Sequence, residues 1–216
     1  MKKGIIFDMD GTLFDTEKVY QIGWAESALE FGHIYNPEFH KSACGTNGED
    51  TRNCVRRYYP DIDPEAYIQA CRKKVHHLLT ISVPEKPGVH EILEFVKDKG
   101  LKIALASSSQ PNIIANNLKK TNTEQYFEAI VSGSDVEKGK PAPDIFIRAA
   151  QLLDLDPSDC YVIEDGKNGV LAGVSAGCTT IMIPDLVKPD QELRRLCAGI
   201  YDSLFDLMEA FKQEEI

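Results

Sequence analysis

Two aspartates stand where a buried strand should stop. The run Gly4-Ile5-Ile6-Phe7 is short, apolar and β-favouring, and it ends in Asp8-Met9-Asp10, followed by Gly11-Thr12. An apolar run of this length reads as a buried strand. Like charges at its end are costly unless something outside the strand needs them. In open α/β sheets, ligands bind beyond the carboxyl ends of the strands. Asp8 and Asp10 are therefore expected to face a cation, a reacting group or both. Side-chain alternation puts them on one side if the extended backbone persists to Asp10. Three more polar clusters follow strand-like runs. Lys102–Ala106 leads into Ser107-Ser108-Ser109, Gly139-Lys140-Pro141 lies beyond Ala129–Ser132, and Tyr161-Val162-Ile163 leads into Glu164-Asp165. In a parallel sheet these ends converge on one edge and gather four acids, hydroxyl donors and one lysine.

Four carboxylates cannot share a small site unpaired. A hard divalent cation resolves the repulsion, and magnesium takes oxygen ligands from one or two carboxylates, water and substrate phosphate. Lys140 and Ser107 would then hold phosphate oxygens. Asp8 is left as a nucleophile, because carboxylates form aspartyl phosphates. Each cluster also has a structural reading: an Asx turn at Gly11, a helix N-cap for Ser107–Ser109, a solvated loop lysine for Lys140, and a helix cap for Glu164-Asp165.

The elements that must position these residues are legible as pattern. After Thr12 the chain reads as helix. Val19, Ile22, Trp24, Ala25 and Leu29 suggest a stripe along Glu17–Phe31, with Gly32 as the stop. Thr46-Asn47-Gly48-Glu49 has capping-box spacing ahead of a helix through Tyr58. Asp63-Pro64 reads as an N-cap with proline at the first helical position, opening a helix to about Leu79. Trp24, Tyr58 and Tyr59 read as core of this helical segment. From Pro87 onward, helices near Val89–Lys99, Pro111–Lys120, Asp144–Leu153 and Asn168–Ala176 alternate with the strand runs. Thr180–Ile183, a short strand near Ile200 and a helix Ser203–Lys212 close the chain, with Lys212–Ile216 read as frayed. Strand and helix in alternation imply a doubly wound parallel sheet, an α/β fold.

Composition narrows the partners. The 216 residues are 43% hydrophobic and 27% charged, with a net charge of -10. That is an ordinary globular composition, and the acidity argues against nucleic acid or an anionic membrane as partner. No apolar stretch is long enough to span a bilayer, and the run after Met1-Lys2-Lys3 breaks too early for a signal peptide. Cys44, Cys54, Cys71, Cys160, Cys178 and Cys197 form no C-x-x-C pair, so free thiols and a cytoplasmic location are expected. His76 and His77 are adjacent and read as surface residues, as do Arg52, Arg56 and Arg57.

The chain resembles the haloacid dehalogenase (HAD) superfamily, and specifically its phosphatase and β-phosphoglucomutase-like members. Asp8-Met9-Asp10-Gly11-Thr12 matches that family's first motif, D-x-D-G-T. Ala106-Ser107-Ser108 looks like the second, Gly139-Lys140-Pro141-Ala142-Pro143-Asp144 like the third, and Ile163-Glu164-Asp165-Gly166-Lys167-Asn168-Gly169 like the fourth. Four motifs in order, each at a strand end or adjoining loop, are far more specific than one. The resemblance implies a Rossmann-like core in residues 1–16 and 85–216 and an inserted four-helix cap in 17–84 that closes over the site. It implies that Asp8 attacks phosphorus in line, and that Asp10 is general acid for the leaving group and then base for water. Ser107 and Lys140 complete the catalytic set, and Ser108, Lys140 and Gly11 contact substrate. Magnesium is implied on the Asp8 side chain, the Asp10 backbone carbonyl and Asp165, with Glu164 beside them.

Two positions depart from the mutase pattern. Mutases of the family carry an Arg three residues beyond a cap-loop glycine, where this chain has Gly48 after Gly45. They also carry a His twelve residues after the nucleophile, where this chain has Tyr20. The implied activity is a magnesium-dependent phosphatase acting on a small phosphorylated metabolite, with no obligate protein partner. The alternatives are a phosphomutase of the β-phosphoglucomutase type, a dehalogenase and a non-catalytic binding protein. A dehalogenase uses no metal and lacks the second aspartate, so Asp10 and Glu164-Asp165 speak against it.

Overall fold

The computed structural model describes residues 2–44, 46, 48–186 and 188–214. The chain divides into two compact units: Met1–Phe14 with Pro84–Ile216, and Asp15–Val83.

The second unit is helical, with α1 (Thr16–Glu30), α2 (Pro37–Ala43), α3 (Gly48–Tyr58) and α4 (Pro64–Ile81), and no strand among its described residues. Asn36-Pro37 and Asp63-Pro64 start α2 and α4 in the same way. Each side chain accepts from the amide two residues on, Glu38 at 2.9 Å and Glu65 at 3.2 Å, and proline fills a position whose amide has no helical partner. The stripe of α1 is not the one its bulk suggests. Val19, Gly23, Trp24, Ser27 and Ala28 are buried, whereas Ile22 is 47% exposed and Leu29 71%. Gly23 explains the rotation. A Cβ there would come within 2.7 Å of the Val75 side chain, so α1 meets α4 through its small residues and turns Ile22 and Leu29 outward.

An aromatic cluster fills this unit. Trp24 stacks on Tyr67 at 5.4 Å between centroids and takes Phe39 edge-on at 5.1 Å, with Tyr59 beside both. The Tyr67 hydroxyl donates to the Trp24 carbonyl at 3.1 Å. Tyr58 is only half-buried. His76 and His77 are exposed. Arg52 pairs with Glu49 and Glu65, Arg56 pairs with Glu49, and Arg57 lies over the Tyr58 ring. Gly45 and Asn47 lie outside the described residues, and the proposed capping box with them. The Thr46 hydroxyl donates to the Ala43 carbonyl.

The first unit runs β1 (Gly4–Phe7), α5 (Val89–Asp98), β2 (Lys102–Ser107), α6 (Pro111–Lys120), β3 (Ala129–Ser132), α7 (Asp144–Leu152), β4 (Cys160–Glu164), α8 (Lys167–Ser175), β5 (Thr179–Met182), α9 (Gln191–Leu196), β6 (Gly199–Ile200) and α10 (Leu204–Lys212). The six strands are parallel in the order β3-β2-β1-β4-β5-β6. All four residues of β1 are buried, as a strand covered on both faces requires. One face of the sheet packs through Ile6, Ala104, Val131 and Val162 against Phe146 and Ala149. Pattern reading did not anticipate α2 or α9. Residues 215–216 of the presumed frayed end lie outside the described residues. All six cysteines are free, and no described helix is long and apolar enough to cross a membrane.

Candidate active site

β1 lies between β2 and β4, where the strand order reverses and a crevice opens at the carboxyl edge. The ladder continues one residue past β1, because the Asp8 amide donates to the Ile163 carbonyl at 2.9 Å. Met9 is fully buried, and the aspartates on either side of it both meet groups of this edge. Asp8 Oδ1 accepts from Lys140 Nζ at 2.5 Å. Lys140 also donates to Glu164 Oε1 at 2.7 Å and to the Ala106 carbonyl at 3.1 Å, and its ammonium lies 4.9 Å from the Phe146 ring centroid. Lys140 is therefore no solvated loop lysine: Asp8, Lys140 and Glu164 are each more than nine-tenths buried. The Lys140–Pro141 peptide is cis.

Glu164 is the pivot of this group. While Oε1 holds Lys140, Oε2 accepts from the amides of Asp165 at 3.0 Å and Gly166 at 3.1 Å. Gly169, in the first turn of α8, makes room for it. A Cβ at 169 would lie 1.7 Å from Oε1 and 1.8 Å from the carboxyl carbon. Gly11 does the same for Asp165. It has φ +87°, and a Cβ there would lie 2.3 Å from Asp165 Oδ2. The turn around Gly11 is closed by its amide donating to the Phe14 carbonyl and by the Leu13 and Phe14 amides donating to Met9.

Asp10 is held from β2. Ser107, fully buried, donates from its hydroxyl to Asp10 Oδ2 at 3.2 Å. Ser109 donates to the same oxygen at 2.7 Å. The serines do not cap α6. Gln110 occupies that position without a side-chain bond, and the Ser109 amide instead donates to Ser107 Oγ. Ser108 is exposed, with its carbonyl 2.9 Å from where a Gly133 Cβ would stand. The polar cluster after β2 and the fourth motif contain Ser109 and Gly169 but assign neither a role at the site. The third serine of the run and the glycine two places beyond Lys167 were the available signals.

The electrostatics follow from burial. Burial pushes the Asp8 carboxyl well above the usual carboxylate range; Lys140 opposes this, while Glu164 and Asp10 add to it. Burial alone would lower Lys140, but the Asp8 and Glu164 carboxylates outweigh it and hold the ammonium protonated. One carboxylate oxygen each from Asp8, Glu164 and Asp165 lie within 4.8 Å of one another. These are hard oxygen donors, and four acids face one lysine, so the donor set fits magnesium.

A Rossmann-like parallel α/β sheet with a carboxylate-rich site at its switch point defines the class of protein. The match to the family described as "Haloacid dehalogenase-like hydrolase" covers residues 5–183, and the chain belongs to that family. It is 33% identical over 183 residues to a "Phosphorylated carbohydrates phosphatase" of Thermotoga maritima, covering 83% of each chain. It is 31% identical over 185 residues to "Beta-phosphoglucomutase" of Bacillus subtilis, covering 81% of this chain and 80% of that one. Among solved structures, a HAD family hydrolase from Deinococcus radiodurans with bound phosphate and sodium superposes with a TM-score of 0.82. Its identity is 26%, with 98% of this chain and 96% of that chain covered.

Proposed function

We propose that this protein is a magnesium-dependent phosphatase that hydrolyses a small phosphorylated metabolite through an aspartyl phosphate. The observation that carries the proposal is the buried Asp8–Lys140–Glu164 group beside an independently held Asp10. Two carboxyls in such different surroundings suit two different roles. Asp8 Oδ attacks phosphorus, and the bond from phosphorus to the ester oxygen breaks. Asp10 gives its proton to that oxygen, and the alcohol leaves. Water then attacks the phosphorus of the aspartyl phosphate, gives its proton to Asp10, and restores the Asp8 carboxylate as inorganic phosphate departs. Lys140 keeps Asp8 aimed and contributes positive charge toward the phosphoryl oxygens, and Glu164 keeps Lys140 in place. Ser108 and the turn at Gly11 complete the phosphate contacts, whereas the single hydroxyl proton of buried Ser107 is given to Asp10 and leaves it no donor for a phosphate oxygen.

Magnesium would sit on Asp8, Asp165 and the Asp10 carbonyl, with Glu164 behind them. When bound, it would supply charge neutralisation to phosphoryl transfer. Residues 1–16 and 85–216 would carry the chemistry, and 17–84 would act as the substrate-selecting cap. Six free thiols suit a reducing compartment, and the proposed location is the cytoplasm. Cell fractionation tests it.

A panel of phosphate esters, assayed for released phosphate with magnesium and with a chelator, tests the activity. No ester turned over with magnesium, or turnover indifferent to the chelator, would overturn it. The likeness to β-phosphoglucomutase favours one second reading, a phosphomutase. Tyr20 and Gly48 stand against it. Incubation with β-glucose 1-phosphate and a trace of the bisphosphate separates the two: glucose 6-phosphate means mutase, free phosphate means phosphatase.

A further inference from the structure

The hydroxyl of Ser109 donates to Asp10 Oδ2 at 2.7 Å, and that of Ser107 donates to the same oxygen at 3.2 Å. The Ser109 amide donates to Ser107 Oγ at 3.0 Å, which closes a ring of bonds around that oxygen. The terminal torsion of an aspartate is broad, with no sharp staggered wells. Two donors converging on one oxygen remove that freedom, and the nearer one has the usual length of a well-formed O–H···O bond. Ser109 lies in the turn between β2 and α6, and α6 starts from Gln110 without a side-chain cap. The Ser109 hydroxyl therefore serves Asp10 and not the helix.

We infer that Ser109 is a positioning residue that orients the Asp10 carboxyl for proton transfer to the leaving oxygen. The inference rests on the reading of Asp10 as acid and base. With Oδ2 committed to two hydroxyl donors, the proton travels on Oδ1. It passes to the ester oxygen as the bond from phosphorus breaks, and it is regained from water in the second step.

The test compares phenyl phosphate with 4-nitrophenyl phosphate, with magnesium present. The two esters have similar shape, but 4-nitrophenolate leaves without help, whereas the phenyl ester gains more from a proton. For Ser109→Ala, kcat/KM with phenyl phosphate should fall about tenfold, part of the range general acid catalysis supplies. With 4-nitrophenyl phosphate it should change less than about twofold, because an unassisted leaving group has little to lose from a misplaced acid. Ser109→Thr should restore the phenyl ester. The inhibition constant of inorganic phosphate should stay unchanged. Asp10→Asn should show the same ester dependence, but larger. Equal losses on both esters in Ser109→Ala, or a weaker phosphate inhibition constant, would make Ser109 a substrate contact and overturn the inference while the Asp10 reading stands. Equal losses on both esters in Asp10→Asn would overturn the Asp10 reading itself.

Discussion

Gly169→Ala changes no group that touches a substrate, yet it should damage both the fold and the chemistry. The added methyl would stand 1.7 Å from Glu164 Oε1 and 2.3 Å from Oε2. A long side chain could ordinarily step aside, but Glu164 is 2% exposed and held by Lys140 and by the amides of Asp165 and Gly166. Moving it strains a packed interior, at about 1–3 kcal/mol. It also weakens bonds to a charged group, each with a net value of about 1.5–3 kcal/mol. Alanine returns up to about 1 kcal/mol of helix propensity. The net loss is about 2–4 kcal/mol, and for a chain of this size each kcal/mol lowers the melting temperature by roughly 2–4 °C. Gly166→Ala is the control on the same loop. A Cβ there comes no closer than 4.0 Å to Glu164 Oε2, and φ is -118°. Gly166 is the N-cap of α8, where alanine is worse than glycine by up to about 1 kcal/mol, and the lost freedom of the unfolded chain returns about 0.4–1 kcal/mol, so that substitution should be close to neutral. Thermal unfolding of both variants, with kcat measured alongside, reads the difference. A Gly169→Ala protein that melts at or above the parent temperature would refute the reasoning.

Other expectations follow from the same geometry. Asp8→Asn should cut turnover by about a thousandfold or more while leaving the fold intact, since an amide cannot attack phosphorus; a near-normal rate would remove Asp8 as nucleophile. Asp165→Ala should raise the magnesium concentration for half-maximal rate by at least about tenfold, and an unchanged titration would take it off the ligand set. Lys140→Met strands Asp8 and Glu164 without their cation, and breaking such a buried group costs about 3–5 kcal/mol; denaturant unfolding showing less than about 1 kcal/mol, the level of an exposed pair, would contradict this. Burial pushes the Cys160 thiol up to about 11 and Cys178 up to about 12. Native protein at neutral pH should therefore alkylate slowly at both, because the thiolate is the reactive form. Rapid labelling of either, read by peptide mass spectrometry, would be inconsistent with that burial.

The sheet was legible because its central strands β1, β2 and β4 are almost wholly buried and read as apolar runs, with polar clusters marking their carboxyl ends. The helical unit was less so. Hydrophobic bulk pointed Ile22 and Leu29 inward, but the close approach at Gly23 decided the face of α1. The start of α2 carries the same signal as the start of α4, yet the helix buries only Phe39, His40 and Ala43. So short a stretch shows little period. α9 buries Leu193 alone and is set by the Asp190 side chain accepting from the Leu193 amide. At the site, residue type and strand-end position identified Asp8, Lys140 and Glu164. They could not reveal that Ser109 reaches across to Asp10, because that bond joins positions 99 residues apart.

Phe14 pairs antiparallel with Glu85, and the Lys86 amide donates to the Leu13 carbonyl. The chain therefore leaves the sheet unit and rejoins it at a single stitched point. Whatever is spliced in there starts and ends at the same place, and doubling its length costs only about 0.6 kcal/mol in closure entropy. A scaffold with such a port can exchange one insertion for another over evolutionary time while its acid cluster stays untouched.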